Sequence, residues 1–366
     1  MKVVLSGGGT AGHINPAIFI AKKILEKEPD SQILFVGTPK GMENRLVGKE
    51  GFSIRHVEVM GLQRKLTLKN IKAAYLAVAS VGKAKKILRE FRPDVVIGTG
   101  GYVSWPVLRA AAGLKIPTLI HEQNAFPGLT TRKLSQVVDR VCLSFDASRP
   151  YFNCKEEKLV LTGNPTSPEL ESISVRKARS ELGISAPFIL SYGGSLGASA
   201  INEAVFTVAK EYSCKKPIFH THAFGKREYD QWMNLEKTEG ICRFGNVKFC
   251  DYIYDMPKQM TAADLVIARS GAITLAELSC LGKPAILIPS PNVTDNHQYK
   301  NALAYAEAGA AVLIEEKDLT PKKLMEEIDR ILNDPALLAQ MSENMKKMAQ
   351  PGATDRIWDE ISKIRK

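Results

Sequence analysis

The 366-residue chain has no apolar run close to the roughly 18 residues that cross a bilayer, which excludes a membrane-spanning helix. Met1-Lys2 leads at once into an apolar strand rather than a leader segment, so the chain is expected on the cytoplasmic side. Cysteine is sparse: the six thiols are scattered, with no Cys-x-x-Cys pair and no histidine at ligand spacing. That pattern excludes a zinc finger and a disulfide framework, and the thiols are expected to be reduced. Asp-x-Asp does not occur, nor does any His/Cys/Asp/Glu cluster with metal-ligand spacing. No metal or other cofactor is expected, and a leaving diphosphate is expected to be met by helix ends and Arg269 instead.

One further absence narrows the chemistry. The opening stretch Leu5 to Ala17, LSGGGTAGHINPA, contains Gly7-x-Gly9-x-x-Gly12, the letters of a dinucleotide-binding turn. Such a fold places an acid at the end of its second strand to bind ribose. Here that strand ends Phe35-Val36-Gly37-Thr38, without one. The nicotinamide reading loses its main support, while anion binding by a glycine turn before a helix remains.

What is present is an α/β pattern written twice. Short apolar runs at Val3–Leu5, Ile33–Val36, Val95–Ile97, Thr118–Ile120 and Arg140–Leu143 suit buried parallel strands. Between them lie amphipathic helices, the first read with Asn15 as cap and Pro16 at the first helical position. The pattern restarts at Phe188–Ser191, followed by Gly193-Gly194-Ser195-Leu196-Gly197, with later strands at Ile218–His220, Val247–Cys250, Leu265–Ala268, Ala285–Ile288 and Ala311–Ile314. Two Rossmann-like, doubly wound parallel-sheet domains follow, with a cleft between the carboxyl ends of their sheets. The boundaries are placed at 1–163 for the first domain and 164–339 for the second, with 340–366 returning to the first.

The candidate site residues fall in strand-to-helix loops. His13 closes the first glycine loop, where it is either a general base for a sugar hydroxyl or a structural histidine. Gly98-Thr99-Gly100-Gly101-Tyr102 forms a second glycine loop in the same domain, so Gly9, Gly100, Gly101 and Tyr102 become candidates for an acceptor's diphosphate. His121-Glu122-Gln123-Asn124 ends a strand with four polar side chains in a row, which favours ligand contact. In the second domain, Arg269-Ser270-Gly271-Ala272-Ile273-Thr274 opens a helix suited to diphosphate, with Glu277 one turn on as a ribose acid or an ordinary surface residue. Asp295-Asn296-His297-Gln298 opens another helix, either as sugar-reading amides or as a simple cap.

The formal charge of +11 requires an anionic partner. From Arg64 to Arg92 there are nine Lys/Arg against the single acid Glu90, flanking the apolar run Ala73 to Val81. This reads as a basic amphipathic helix on anionic lipid, with Lys69, Lys72, Tyr75, Leu76, Lys83 and Lys85 facing it, or as a solvated basic face. Nucleic acid is not expected, because no recognition motif accompanies the charge.

Together GGGTAGHINPA, GTPKGMENRLV, GTGGYVSWP, HEQNAFPGLTTR, LTGNP, GGSLGAS, YIYDM, RSGAITLAEL and DNHQYKNA resemble, in that order, the MurG family of glycosyltransferases. The resemblance covers nearly the whole chain. It implies a two-domain GT-B enzyme, family 28-like and inverting. Such an enzyme moves N-acetylglucosamine from UDP-N-acetylglucosamine to the muramoyl 4-hydroxyl of a lipid-linked muramoyl-pentapeptide in peptidoglycan synthesis, peripherally bound at the inner membrane face. It implies donor contacts at Thr10, Ala11, Gly12, Asn124, Thr166, Ser195, Ile253, Ala272, Ile273, Thr274, Glu277 and Gln298, and His13 as base. Two positions depart from the usual pattern: Trp105 stands where relatives have glycine, and Thr166-Ser167 replace an arginine after GNP. An epimerase of the same fold and a non-catalytic nucleotide-sugar-binding protein are the alternatives.

Overall fold

The computed structural model describes every residue except 60–67, 168, 195, 214, 294, 295 and 366; side chains are described for all of these but 68–78 and 171. Cα packing divides the chain into two units, Met1–Thr166 with Pro351–Lys366, and Ser167–Gln350.

In the first unit the elements run β1 (Lys2–Ser6), α1 (Ala11–Lys27), β2 (Gln32–Gly37), α2 (Glu43–Lys49), β3 (Ser53–His56), α3 (Leu68–Phe91), β4 (Val95–Gly98), α4 (Ser104–Gly113), β5 (Thr118–Glu122), α5 (Leu129–Leu134), β6 (Arg140–Leu143) and β7 (Leu159–Leu161). Its strands are all parallel, in the order β3-β2-β1-β4-β5-β6-β7. Helices cover both faces, so the central strands are buried throughout and read as unbroken apolar runs such as VVIG in β4. Edge strands β3 and β7 were not anticipated. Each is short, and β3 alternates half-buried Ile54 and His56 with exposed Ser53 and Arg55, which gives no apolar run to detect.

The second unit repeats the plan with α6 (Glu169–Ser172), α7 (Val175–Leu182), β8 (Phe188–Tyr192), α8 (Ser199–Ser213), β9 (Phe219–Ala223), α9 (Tyr229–Glu239), β10 (Val247–Cys250), α10 (Met256–Ala262), β11 (Leu265–Ala268), α11 (Ala272–Leu281), β12 (Ala285–Leu287), α12 (His297–Glu307), β13 (Ala311–Leu313), α13 (Pro321–Leu332) and α14 (Pro335–Lys347). The order is β10-β9-β8-β11-β12-β13, again parallel. In both units strand order reverses beside the first strand, between β1 and β4 and between β8 and β11. Open α/β sheets bind ligands at the carboxyl ends of the strands there.

Three expectations need correction. The boundary lies at Thr166/Ser167 rather than 163/164, and the chain rejoins the first unit at Pro351 rather than 340. Helix α14 stays with the second unit, where Met341 and Met345 are buried and Ser342 donates to the Gly282 carbonyl at 2.7 Å. Only α15 (Ala353–Ile364) joins the first unit, with Asp355 paired to Lys23 and Lys27, Arg140 to the buried Glu360, and Arg356 donating to the Thr162 carbonyl. Helix α1 starts at Ala11, with Thr10 rather than Asn15 at the cap and Pro16 inside the helix. The amides of His13 and Ile14 already reach the Thr10 carbonyl at 3.1 and 3.2 Å, so the first turn closes before Pro16.

The third correction is β9, which extends through Phe219-His220-Thr221-His222-Ala223 where a strand ending at His220 was expected. Its two histidines are buried and keep neutral rings: burial pushes the pKa of His220 down to about 3 and holds His222 far below the ordinary 6.5. A ring that resists protonation in the folded state contributes stability in full above about pH 6.5 and loses it as pH falls toward the folded value. The melting temperature is therefore expected to drop steadily on acidification from pH 7 to about 4.5. A flat profile in calorimetry over that range would contradict this account of the β9 core.

Candidate active site

In the first unit the two glycine loops meet backbone to backbone. A Cβ on Gly101, whose φ is +78°, would overlap the carbonyl oxygen of Gly8, and one on Gly7 would overlap Thr99 Oγ1. Only glycine fits such an approach. Gly100, at φ +98°, stands against the His13 ring, where a Cβ would lie 2.7 Å from Nδ1. Tyr102 lies against Gly9, 3.4 Å from the position of its missing Cβ. Much of the glycine here thus serves loop packing. Gly12 is different: a Cβ there would meet nothing nearer than Thr10 Oγ1 at 3.6 Å, so the unit's own packing does not demand glycine.

His13 is half-buried in the first turn of α1. Its Nδ1 lies 3.1 Å from the Thr99 carbonyl and 3.1 Å from Gln123 Oε1, while Thr99 Oγ1 donates to the His13 carbonyl at 2.6 Å. Ala11 and Gly12 are the first two residues of α1, and the Thr10 side chain does not cap them. Amides in the first turn of a helix have no intrahelical partner and lie at the positive end of its dipole.

The polar run after β5 is mostly internal. His121, Glu122 and Gln123 are all at most 3% exposed. Glu122 accepts from the Asn124 amide, the Asn124 side chain and the Gly128 amide at 3.0, 3.2 and 3.0 Å, so its carboxylate shapes the turn. Of the four residues, only Asn124 keeps exposure and remains available to a ligand.

The sequence also concealed an acid. Glu43, from α2, folds back so that its carboxylate accepts from the Thr38 amide and hydroxyl, each at 2.7 Å, at the end of β2. It is 1% exposed and braces the turn through Gly41. The sequence obscures this because the acid opens the next helix, six residues beyond the strand, and returns only through the intervening turn.

In the second unit, α11 begins after β11 with Gly271 at its cap and no side-chain cap bond, and Ala272, Ile273 and Thr274 form its first turn. Ser270 Oγ donates to the Gln298 carbonyl at 2.7 Å, and the Gln298 side-chain oxygen accepts from the Ser290 amide at 2.9 Å. These bonds tie the starts of α11 and α12 to the loop after β12. Gly194 adopts φ +98° with open space around it, and Gly197 packs against the Phe224 carbonyl as Gly101 packs against Gly8. Ile253 is buried in the loop after β10.

The family-28 glycosyltransferase models match both halves: the N-terminal domain over residues 3–143 and the C-terminal domain over 188–357. A relative in Acetivibrio thermocellus, named UDP-N-acetylglucosamine--N-acetylmuramyl-(pentapeptide) pyrophosphoryl-undecaprenol N-acetylglucosamine transferase, is 47% identical over 100% of this chain and 99% of its own. The chain belongs to glycosyltransferase family 28. The crystal structure of Acinetobacter baumannii MurG is similar with TM-score 0.76 at 31% identity, covering 99% of both chains. A UDP-GlcNAc 2-epimerase from Neisseria meningitidis, bound to UDP-GlcNAc, reaches TM-score 0.69 at 15% identity over 99% of this chain and 100% of its own, a likeness of fold alone. The two Rossmann-like units are those of the GT-B fold.

Within the family-28 framework the structure sorts the expected residues. Thr10, Ala11, Gly12 and His13 follow β1 and Asn124 follows β5, at the carboxyl edge of the first sheet, with Gln123 next to Asn124 bonded to His13. Ala272, Ile273, Thr274, Glu277 and Gln298 gather on the second unit, around the start of α11. Thr166 is the last residue of the first unit and is half-buried. Ser195 lies outside the described residues, as do Arg64 and Lys65 of the basic stretch. Lys69, Lys72, Tyr75 and Leu76 lie on α3, their side chains outside the described set, while Lys83 is exposed and Lys85 half-buried. Arg269 departs from its expected role. Its guanidinium donates to the Ile288 and Pro289 carbonyls at 3.0 Å each and pairs with the Glu316 carboxylate. A cation neutralised in this way braces the loop after β12 instead of waiting for diphosphate.

Sequence reasoning missed a buried polar chain behind the glycine loop of the second unit. Asn202 donates to the Phe224 carbonyl and to Glu228, both at 2.9 Å, so its oxygen accepts from His222 Nε2 at 3.1 Å. His222 Nδ1 then accepts from Ser191, which accepts in turn from His220 Nε2, each at 2.7 Å. At the other end Glu228 takes the hydroxyl of Ser199, the first residue of α8. Burial alone raises the Glu228 carboxyl, but bonds from Ser199, Arg227, Asn202 and Trp232 outweigh it and bring the pKa to about 2. The clue in the sequence was the Phe-His-Thr-His alternation, which reads as a polar strand until Ser191 and Asn202 are seen beside it.

Glu277 shows the opposite shift. Desolvation alone pushes its carboxyl up to about 8 from an ordinary 4.5. A carboxyl that holds its proton more tightly when folded contributes stability fully present below about pH 4.5 and lost as pH rises through about 8. Glu277→Gln is expected to remove that dependence. At pH 9 the variant should have a higher urea midpoint than the parent chain, and at pH 4 the two should coincide. Equal midpoints at pH 9 would show that the acid is ordinarily solvated.

Proposed function

We propose that this chain transfers N-acetylglucosamine from UDP-N-acetylglucosamine to the muramoyl 4-hydroxyl of a polyprenyl-diphosphate-linked muramoyl-pentapeptide. The observation that carries the reading is His13, half-buried beside two interlocked glycine loops, in a chain whose full length matches transferases named for this reaction. His13 Nε2 takes the proton of the 4-hydroxyl as its oxygen bonds to the anomeric carbon. The bond from that carbon to the diphosphate breaks, and its electron pair leaves with UDP. Attack opposite the leaving group inverts the configuration. A positioned general base contributes roughly 10²- to 10⁴-fold to such a step.

Donor recognition falls to the second unit. The amides of Ala272, Ile273 and Thr274 receive diphosphate at the start of α11, and Glu277 accepts from the ribose hydroxyls. Ile253 meets uracil through its backbone, Ser195 the diphosphate, and Gln298 the sugar. On the first unit, Thr10, Ala11, Gly12 and Asn124 complete the donor contacts, and Gly9, Gly100, Gly101 and Tyr102 face the acceptor's diphosphate. Helix-end amides carry the leaving charge, so the reaction runs without bound metal. No group of three His, Cys, Asp or Glu side chains among the described residues could hold a metal ion.

The acceptor's lipid calls for docking at an anionic membrane surface on the cytoplasmic face. Among the described residues no helix is long and apolar enough to cross a membrane, and the basic stretch around α3 supports peripheral attachment. Each Lys near such a surface contributes about 1 kcal/mol. Neutralising Lys69, Lys72, Lys83 and Lys85 together is expected to release the protein from phosphatidylglycerol vesicles in co-sedimentation. Unchanged binding would remove α3 from this role.

The deciding assay combines labelled UDP-N-acetylglucosamine with a short-chain lipid-linked muramoyl acceptor. Transfer is expected, undiminished by EDTA, and His13→Ala is expected to lower kcat by about 10²-fold or more while leaving the donor KM near its original value. Absence of transfer, with a 2-epimer of the donor as product, would establish the epimerase reading. Loss of transfer on chelation would overturn the metal-free mechanism, and near-normal kcat in the variant would exclude His13 as the base.

A further inference from the structure

We infer that Gln123 is a positioning residue that, with His121 behind it, holds the His13 ring in the tautomer carrying its proton on Nδ1, leaving the Nε2 lone pair for the acceptor hydroxyl. This rests on the reading of His13 as the base.

Main-chain carbonyl groups, which can only accept, settle the direction of every bond in the chain. The carboxamide nitrogen of Gln123 lies 2.8 Å from the Thr99 carbonyl and 3.2 Å from the His121 carbonyl. The reverse orientation would set oxygen against oxygen at both, so the amide must face them. Its oxygen therefore faces His13 Nδ1 at 3.1 Å. Nδ1 meets two acceptors, this oxygen and the Thr99 carbonyl, and must itself be the donor. The chain continues inward on the same logic. His121 Nε2 donates to the Gly163 carbonyl at 2.9 Å, which leaves Nδ1 of His121 to accept from the Gln123 amide at 3.0 Å. Asn164 donates to the Gln123 carbonyl at 3.0 Å and accepts from Ser144 at 2.7 Å, so the backbone of the carboxamide is held from a third side.

Two physical consequences follow. His13 Nε2 has no hydrogen-bond partner among the described residues and is the only ring nitrogen left to take a proton. When it does, Nδ1–H keeps its two acceptor oxygens, so the ring holds its orientation through the transfer. The relay stays in register because His121 remains neutral, burial holding its pKa down to about 4. A protonated His121 would present two donors and expel the Gln123 amide.

The test uses the full-length protein with ¹⁵N-labelled histidine, the His13 resonances being identified by their absence in His13→Ala. Near neutral pH the spectrum is expected to show a protonated Nδ1 and a bare Nε2. Gln123→Met keeps the length of the side chain but removes both polar atoms. It should shift part of the His13 population to the Nε2–H tautomer and lower kcat on the order of tenfold to a hundredfold, with the donor KM unchanged. A purely structural residue would alter KM or stability without moving the tautomer signals. The proposal is overturned if the parent spectrum already shows Nε2–H, a measurement independent of whether the variant folds, or if the variant leaves tautomer and kcat alike. If instead His13→Ala retains activity while the spectrum is as expected, the base assignment fails and the tautomer assignment stands.

Discussion

The carbonyl oxygen of Gly8 occupies the space a Cβ on Gly101 would need, and the rest of the first unit's site depends on that approach. Because the loops after β1 and β4 touch through backbone, the Thr99 carbonyl reaches His13 Nδ1 and Gly100 packs against the ring. A side chain at Gly101 would part the loops and carry both away from His13. The second unit uses the same device, with Gly197 against the Phe224 carbonyl and Gly225 against Gly197. In each sheet, glycine first brings loops together, and only the residues left over, such as Gly12 and Gly194, have room to spare for a ligand.

Both sheets also carry neutral polar chains whose direction is set from the backbone. In the first unit the chain runs from the Gly163 carbonyl through His121 and Gln123 to His13; in the second it runs from His220 through Ser191, His222 and Asn202 toward Glu228. Inside a protein such chains are strong when complete and costly when broken. Keeping His121 and His222 uncharged is what allows each of these rings to accept on Nδ1 and donate from Nε2. Glu228 and Glu277 show how local partners decide a carboxylate's state: the first is flooded with donors and acidic, the second has only desolvation and holds its proton.

Helix starts in the two units differ in how they are capped. Thr320 and Asp334 cap α13 and α14 with their own side chains, whereas Thr10 and Gly271, at the carboxyl edges of the sheets, give α1 and α11 no side-chain cap bond. On the proposed reading these two helix starts meet the donor, while Arg269, paired with Glu316, braces the loop after β12.

How much of this was legible in the chain differs by feature. Apolar runs and glycine turns determined two parallel α/β domains by themselves, because strands buried on both faces cannot hide their composition, and the ordered motifs identified the family. The sequence also singled out His13, through its place after a glycine loop at a strand's carboxyl end. Edge strands β3 and β7 took their place from pairing with β2 and β6, the start of α1 from the turn closed on the Thr10 carbonyl, and the split of the C-terminal helices from packing partners far along the chain. Tertiary structure alone decided that Glu43 returns to the end of β2, that Arg269 is paired to Glu316, and that His121 and Gln123 face inward rather than toward a ligand. The physical reason is that a polar side chain's role depends on which donors and acceptors surround it: for Glu43 these lie on the far side of a turn, five positions away, and for Arg269, His121 and His13 they come mostly from residues tens to more than a hundred positions away, such as Thr99 and Gln123 around His13.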